Sequence, residues 1–239
     1  MPFMKYKNPD KNCTSPFEND ALGYCWGYAN AVDKGEIINC SRCEFYKPNG
    51  ISYVQLQFRI IYSIIVAGKS AKFAEKVMTN LLGIYSRPPF GQIQYWNENG
   101  RLLDELKKAK TGNYKKISKA LTELVNSNID LRTCGPEDLE KIHGIGPKTS
   151  RFFIMWTRPN VRYAALDTHI LKWLRARGHD VPKTTPSGKK YKEIEQIFLT
   201  EADKLGIPPQ ELDTKIWKEY SGYKNWNPDQ DSADYLVEK

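Results

Sequence analysis

The feature that most constrains this chain is Gly144-Ile145-Gly146, set between two helical patterns in the stretch EDLEKIHGIGPKTSRFFIMWTRPNVRYAALDTHILKWLR. Glycines one residue apart permit a tight hairpin that a Cβ would obstruct. Pro147 brings no N–H but suits a first helical position. Helical spacing recurs on the N-terminal side: Leu56, Ile60 and Ile64, then Phe73, Val77 and Leu81, are each four apart. The break at Gly68-Lys69-Ser70 divides residues 53–82 into helix, short loop, helix. Residues 83–100 read as mostly loop with a short helix. Residues 101–110 and 114–126 read as two more helices, and Thr133-Cys134-Gly135-Pro136 as a connector with Pro136 in the first turn of the next. A Pro/Thr/Ser/Gly/Lys loop over 182–190 precedes helices at 191–205 and 211–220. Strand signals are nearly absent, so the class is all-α.

Residues 1–50 are turn-rich and hold four of the five cysteines, and the tail from 223 to 239 is polar. The expected division is therefore 1–50, 51–222 and 223–239. With 239 residues, 40% of them hydrophobic and 27% charged, the chain can bury a sizeable core and is not of disordered composition. Thirty-six Lys and Arg against 28 Asp and Glu give a net charge of +8, which favours a polyanionic partner through counterion release. No run approaches the ~18–20 apolar residues of a membrane span, and the first residues lack a signal-peptide core. The expectation is a cytoplasmic protein (nuclear in a eukaryote) with no membrane partner, monomeric by default.

The hairpin has a chemical reading. The amides after it open a helix, where unpaired N–H groups and the dipole favour an anion. With no side chains at Gly144 and Gly146, a phosphodiester can approach the backbone closely. Such a hairpin holds a duplex without reading its sequence; a plain helix–helix turn uses the same glycines for packing. Lys148 follows at once and Asp167 comes 19 positions later (167 − 148), before another amphipathic helix. Lys148 is either one more phosphate contact or, if burial lowers its pKa, a nucleophile. As a neutral amine it could attack sugar C1′, displace a base and form a Schiff base. Asp167 can cap its helix, and a capping carboxylate is also a fixed negative charge. That charge could stabilise an oxocarbenium-like sugar or help take a proton from the lysine.

Phe152 and Trp156 lie four and eight positions after Lys148, on roughly the same helical face. They read equally as core aromatics and as the stacking walls of a base pocket. Arg87, Lys115 and Lys116 are candidate backbone contacts. Cys13, Cys25, Cys40 and Cys43 form a C-x11-C-x14-C-x2-C set. Four thiolates could hold a structural zinc ion or an iron–sulfur cluster, and unligated cysteines are the alternative. No cofactor is expected for catalysis.

Residues 113–175 resemble the helix-hairpin-helix superfamily of DNA glycosylases, near its endonuclease III and 8-oxoguanine glycosylase branches. LEKIHGIGPKTS is similar to that family's Leu-Pro-Gly-Val-Gly-x-Lys-Thr-Ala, and AALDTHILKWLR to its Val-Asp-Thr-His-Ile pattern. The resemblance puts Lys148 on the family's catalytic lysine and Asp167 on its catalytic aspartate. It implies a two-lobed helical fold, double-stranded DNA as partner, and base excision followed by β-elimination at the abasic site. By position it also implies that Lys69 or Ser70 fills the space left by a flipped base, although an ordinary interhelix turn would look the same. An oxidised base is the first expectation for the substrate. A monofunctional glycosylase for a mismatched or naturally modified base is one alternative, and a non-catalytic DNA-binding module is another. The chain departs from the pattern at His143, where the family often has proline. It also lacks the C-terminal four-cysteine iron–sulfur loop of the endonuclease III branch, since no cysteine follows Cys134.

Overall fold

The computed structural model describes residues 51, 53–82 and 88–221. The cysteine set Cys13, Cys25, Cys40 and Cys43, the contact candidate Arg87 and the tail lie outside the described residues. Within them the chain forms ten helices and no strand: α1 (Tyr53–Ile65), α2 (Ala71–Leu82), α3 (Pro89–Glu98), α4 (Leu102–Lys108), α5 (Tyr114–Asn126), α6 (Pro136–Leu139), α7 (Pro147–Thr157), α8 (Thr168–Ala176), α9 (Gly188–Leu205) and α10 (Pro209–Ser221). The all-α expectation holds for this part of the chain.

Two hydrophobic cores explain the arrangement. The first gathers α1 to α7, from Val54 through Ile154. α1 is its axis, with every residue from Val54 to Ile65 buried, as expected of a helix surrounded by others. α2 and α5 each bury one stripe at helical spacing: Ala74, Val77, Met78 and Leu81 on α2, and Ile117, Ala120, Leu121 and Leu124 on α5. The second core joins α8, α9 and α10 through Leu171, Trp173, Tyr191, Phe198, Leu212 and Ile216. Residues 159–167, between α7 and α8, carry no regular structure and cross from the first core to the second.

Two elements differ most from the sequence reading. α9 begins at Gly188, ahead of the expected 191. Its first turn is solvent-exposed Gly-Lys-Lys, so no apolar residue marks it. α3 is a ten-residue helix opened by Pro89, longer than the short helix expected within a mostly loop stretch.

The two hairpin glycines have different duties. Gly144 has φ +81°, and a Cβ there would come within 2.9 Å of Lys116 Cε. Gly146 has φ −99°, ordinary for any residue, and a Cβ there would meet nothing within 4 Å. The expectation that both glycines relieve the turn is therefore corrected: only Gly144 does, and Gly146 leaves a bare surface instead. Ile145 packs its side chain into the first core and gives its N–H to the Ile142 carbonyl. His143 N–H donates to Glu123 of α5 at 2.6 Å, fixing the hairpin's approach where the family pattern has an imide nitrogen without a donor.

A buried guanidinium links the hairpin to the second core. Arg151, 3% exposed, donates to Glu140 and Glu195, each at 2.7 Å. Ser150 Oγ donates to the same Glu140 oxygen at 2.9 Å.

Gly144→Ala should lower thermal stability, because the left-handed φ costs a Cβ-bearing residue roughly 1–2 kcal/mol and the Lys116 stem must also move. Gly146→Ala should melt within experimental error of the parent. Thermal denaturation of both variants checks the asymmetry.

Candidate active site

Between the two cores opens a cavity of about 1000 Å³, walled by the α1–α2 loop, α7, the N-terminus of α8, and α10. It gathers six residues singled out from sequence: Lys69, Ser70, Lys148, Phe152, Trp156 and Asp167. The hairpin residues Gly144, Ile145 and Gly146 are not on its wall; they stand just ahead of the helix that carries Lys148.

Lys148 is the second residue of α7 and reaches into the cavity with its Nζ 4.5 Å from the centre of the Phe152 ring. Among the described residues the amine has no hydrogen bond and no ion pair. Burial pulls its pKa below the ordinary lysine value, while the charges of Asp167 and Asp213 act in the opposite direction. Its place in the first turn of a helix also disfavours a cation. Both effects raise the fraction of neutral, nucleophilic amine.

Phe152, Trp156 and Tyr62 make an aromatic wall, Trp156 lying 5.5 Å from Phe152 and 5.4 Å from Tyr62 between ring centres. Arg59 lies 4.8 Å over the Trp156 ring and donates to the Trp156 carbonyl at 2.9 Å. Phe152 and Trp156 are partly buried. Each packs one flank on the first core and turns another to the cavity.

Asp167 is the N-cap of α8. Its Oδ1 accepts from the amides of His169 at 2.8 Å and Ile170 at 2.9 Å. The cap fixes the carboxylate against a helix N-terminus, where negative charge is favoured.

The side chains of Lys69 and Ser70 are already engaged. Lys69 Nζ donates to the Thr111 carbonyl, and burial lowers its pKa. Ser70 Oγ accepts from the Phe73 amide at 3.3 Å, capping α2. Insertion of Lys69 into a duplex would require it to exchange the Thr111 bond for a new one. Lys116 lays its aliphatic stem beside Gly144.

Three residues escaped the sequence reading. Asp213 of α10 lines the cavity with Lys148 and Asp167, and its Oδ2 is buried with no hydrogen-bond partner. Burial, reinforced by the nearby charge of Asp167, pushes its pKa up to about 7; Lys148 and the Ala165 amide oppose the rise. Gln210, one turn earlier, donates to the carbonyls of Met155 at 3.1 Å and Arg158 at 2.6 Å, locking α10 onto the end of α7. Trp217, one turn later, joins the same wall. The only sequence signal for them is a polar and aromatic stripe at 210, 213, 214, 217 and 221, beside the apolar Leu212 and Ile216.

No group of three or more His, Cys, Asp or Glu suited to a metal occurs among the described residues. No helix among them is long and apolar enough to cross a membrane.

Comparison with known proteins gives a consistent picture. No protein-family model matches the chain. The 8-oxoguanine DNA glycosylase/AP lyase of Thermoplasma acidophilum is 39% identical over 87 residues, which are 35% of this chain and 40% of that protein. Its counterpart in Thermoplasma volcanium is 39% identical over 82 residues, 33% of this chain and 37% of that protein. The matched region thus spans about 40% of the length of these curated relatives. Among solved structures, the 8-oxoguanine DNA glycosylase of Thermotoga maritima superposes with a TM-score of 0.54 at 19% identity, covering 85% of this chain and 95% of that one. The enzyme from Methanocaldococcus jannaschii gives 0.54 at 21% identity, covering 82% and 88%. The chain therefore has the helical fold of the 8-oxoguanine DNA glycosylases.

Replacing Lys148 with glutamine should stabilise the protein at neutral pH. Burial lowers the folded-state pKa, so keeping the ammonium costs stability below that pKa. The cost fades as pH climbs toward the ordinary lysine value of 10.5. Melting curves across pH should show the variant's advantage at pH 7 and its disappearance above 10.5.

Proposed function

We propose that this chain is a bifunctional DNA glycosylase and abasic-site lyase that removes an oxidised base, 8-oxoguanine first, from double-stranded DNA. The observation that carries the reading is the unpaired Lys148 amine, depressed in pKa, in an aromatic-walled cavity beside the capped Asp167 carboxylate. The names of the Thermoplasma relatives and of the structural neighbours support the same activity and base.

The duplex lies across the groove between the two cores, with the Gly144–Gly146 turn against one backbone. There Gly146 presents no side chain to obstruct a phosphate. The damaged nucleotide swings into the cavity, its base stacked on the Phe152 and Trp156 wall. The Lys148 amine attacks C1′ as the bond to the base breaks. Asp167 is held by two amides and does not move, so it supplies fixed negative charge to the oxocarbenium-like sugar. The Schiff base that follows permits β-elimination of the 3′ phosphate. Nucleophile and charges are all side chains, so the chemistry calls for no cofactor. The protein acts as a monomer, and any metal at Cys13, Cys25, Cys40 and Cys43 is structural, because four protein ligands leave no open position.

The test is borohydride trapping on labelled duplexes carrying 8-oxoguanine, thymine glycol, uracil, a G·T mismatch, hydroxymethylated bases or an abasic site. The wild type should form a covalent adduct, fastest with 8-oxoguanine. Lys148→Gln should abolish adduct and excision while keeping affinity for the duplex, and Asp167→Asn should slow base release about 10²–10⁴-fold. Excision without any adduct would mark a monofunctional enzyme, and binding without excision a passive clamp. Affinity should fall steeply with salt, as for any contact made mainly to phosphates.

A further inference from the structure

We propose that Asp213 takes the proton from the Lys148 ammonium and hands it to the departing base, a role that rests on the glycosylase reading above. Two aspartates then divide the work that one is expected to do. Asp167 is engaged as the cap of α8, its Oδ1 accepting from the amides of His169 and Ile170. Asp213 is differently placed. It comes from another helix, lines the same cavity as the amine, and keeps Oδ2 buried without a hydrogen-bond partner. A buried carboxyl oxygen with no partner is costly, and a proton or a substrate group removes the cost. Its helix is held to α7 by Gln210 through the Met155 and Arg158 carbonyls, so the carboxyl is fixed relative to Lys148.

Proton and electron bookkeeping closes without an outside reagent. The ammonium proton passes to Asp213, leaving a neutral amine and a neutral carboxyl. The amine lone pair forms the N–C1′ bond while the C1′–base pair departs with the base. Asp213 then gives its proton to the base, which leaves neutral. The remaining secondary ammonium loses a proton to O4′ as the C1′–O4′ bond opens, which produces the Schiff base. The reactive state therefore holds one proton between Lys148 and Asp213, and the two groups titrate as a pair.

The ionisable groups around Asp213 come from every neighbouring element. Lys148 is on α7, Asp167 and His169 are at the start of α8, and the Tyr191 phenol is on α9. Lys69 and Lys72 face it across the cavity from the α1–α2 loop and α2. An upward-shifted carboxyl opposite a downward-shifted amine brings the two proton affinities together, which is what transfer in both directions needs.

The experiment is single-turnover excision of 8-oxoguanine across pH by wild type, Asp213→Asn and Asp213→Glu. Asparagine keeps an oxygen for the Ala165 amide but cannot accept the proton. Wild type should lose activity on the acid side with a midpoint near 7, as a second proton enters the pair. Asp213→Asn should be slower by ~100-fold or more at pH 7, with the gap closing as pH rises and solvent deprotonates Lys148. Its melting temperature at pH 7 should be no lower than that of wild type, because the buried ionisable carboxyl is gone. Its affinity for a duplex with a tetrahydrofuran abasic analogue should match wild type, and Asp213→Glu should regain part of the rate. A defect below about threefold, or one of the same size at every pH, overturns the assignment. If the asparagine variant fails to fold, a wild-type profile with no acid limb overturns it equally. Failure of the parent reading looks different: wild type then neither excises nor traps on any duplex. An active wild type beside an unaffected Asp213→Asn removes only the role of Asp213.

Discussion

The site depends on how a short buried length of chain without regular structure keeps its backbone satisfied. Residues 164–166 are buried between α7 and α8 and have no helical or strand partners of their own. Side chains take their place. Glu195 accepts from the Ala164 amide at 3.0 Å, and the Tyr191 hydroxyl accepts from the Leu166 amide at 3.0 Å while donating to the Ala164 carbonyl at 2.6 Å. Thr185 Oγ1 donates to the Leu166 carbonyl at 2.9 Å. Unmade, each such bond would expose the desolvation cost of a buried peptide group. Made, they hold the chain one residue ahead of Asp167 in a single position. Glu195 also accepts from Arg151 on α7, the helix that carries Lys148. One buried carboxylate thus joins the segment bearing the aspartate to the helix bearing the lysine.

The same economy shapes the electrostatics of the cavity. Lys148, Asp167 and Asp213 are close enough to perturb one another, yet their surroundings differ. Asp167 accepts from two amides at the positive end of a helix, where negative charge is favoured. Asp213 has a buried oxygen with no donor. Lys148 stands at the wrong end of a helix for a cation, over an aromatic face that only partly replaces water. The surroundings of Asp213 thereby raise its proton affinity, a usual sign of a duty in acid–base chemistry. The arrangement costs folding stability, a common trade at sites kept ready for chemistry.

What the sequence revealed and what it hid separate along contact range. The helix pairs, the hairpin, Lys148 and the Asp167 cap were legible because each depends on neighbours within a few positions. α1 and α2 fell where the four-residue apolar spacing put them, and α5 matched residues 114–126. Asp213 was not legible. It reaches Lys148 from 65 positions away (213 − 148), and its own helix offers no motif beyond an amphipathic stripe. Glu195 was hidden for the same reason, since its partner Arg151 is 44 positions distant. Gly146 was misread because a glycine's purpose depends on its φ, and Gly-x-Gly spacing looks the same for a strained turn and for a cleared surface.

That distinction bears on how affinity and chemistry divide in the molecule. The hairpin offers backbone and a surface cleared of side chains, features blind to base identity. The cavity offers aromatic faces, one amine and two carboxyls, which in the proposed reaction meet only a nucleotide that has left the stack. The two meet at Pro147, after which α7 runs from the hairpin directly to Lys148. A single helix therefore sets the distance between the hairpin and the Lys148 amine. Its far end is fixed by Gln210, from the helix that also carries Asp213. Base choice must come from groups that neither motif contains, drawn from α1, the α1–α2 loop and α10 around the cavity. For that reason the motifs that suggest the proposed chemistry say little about its substrate.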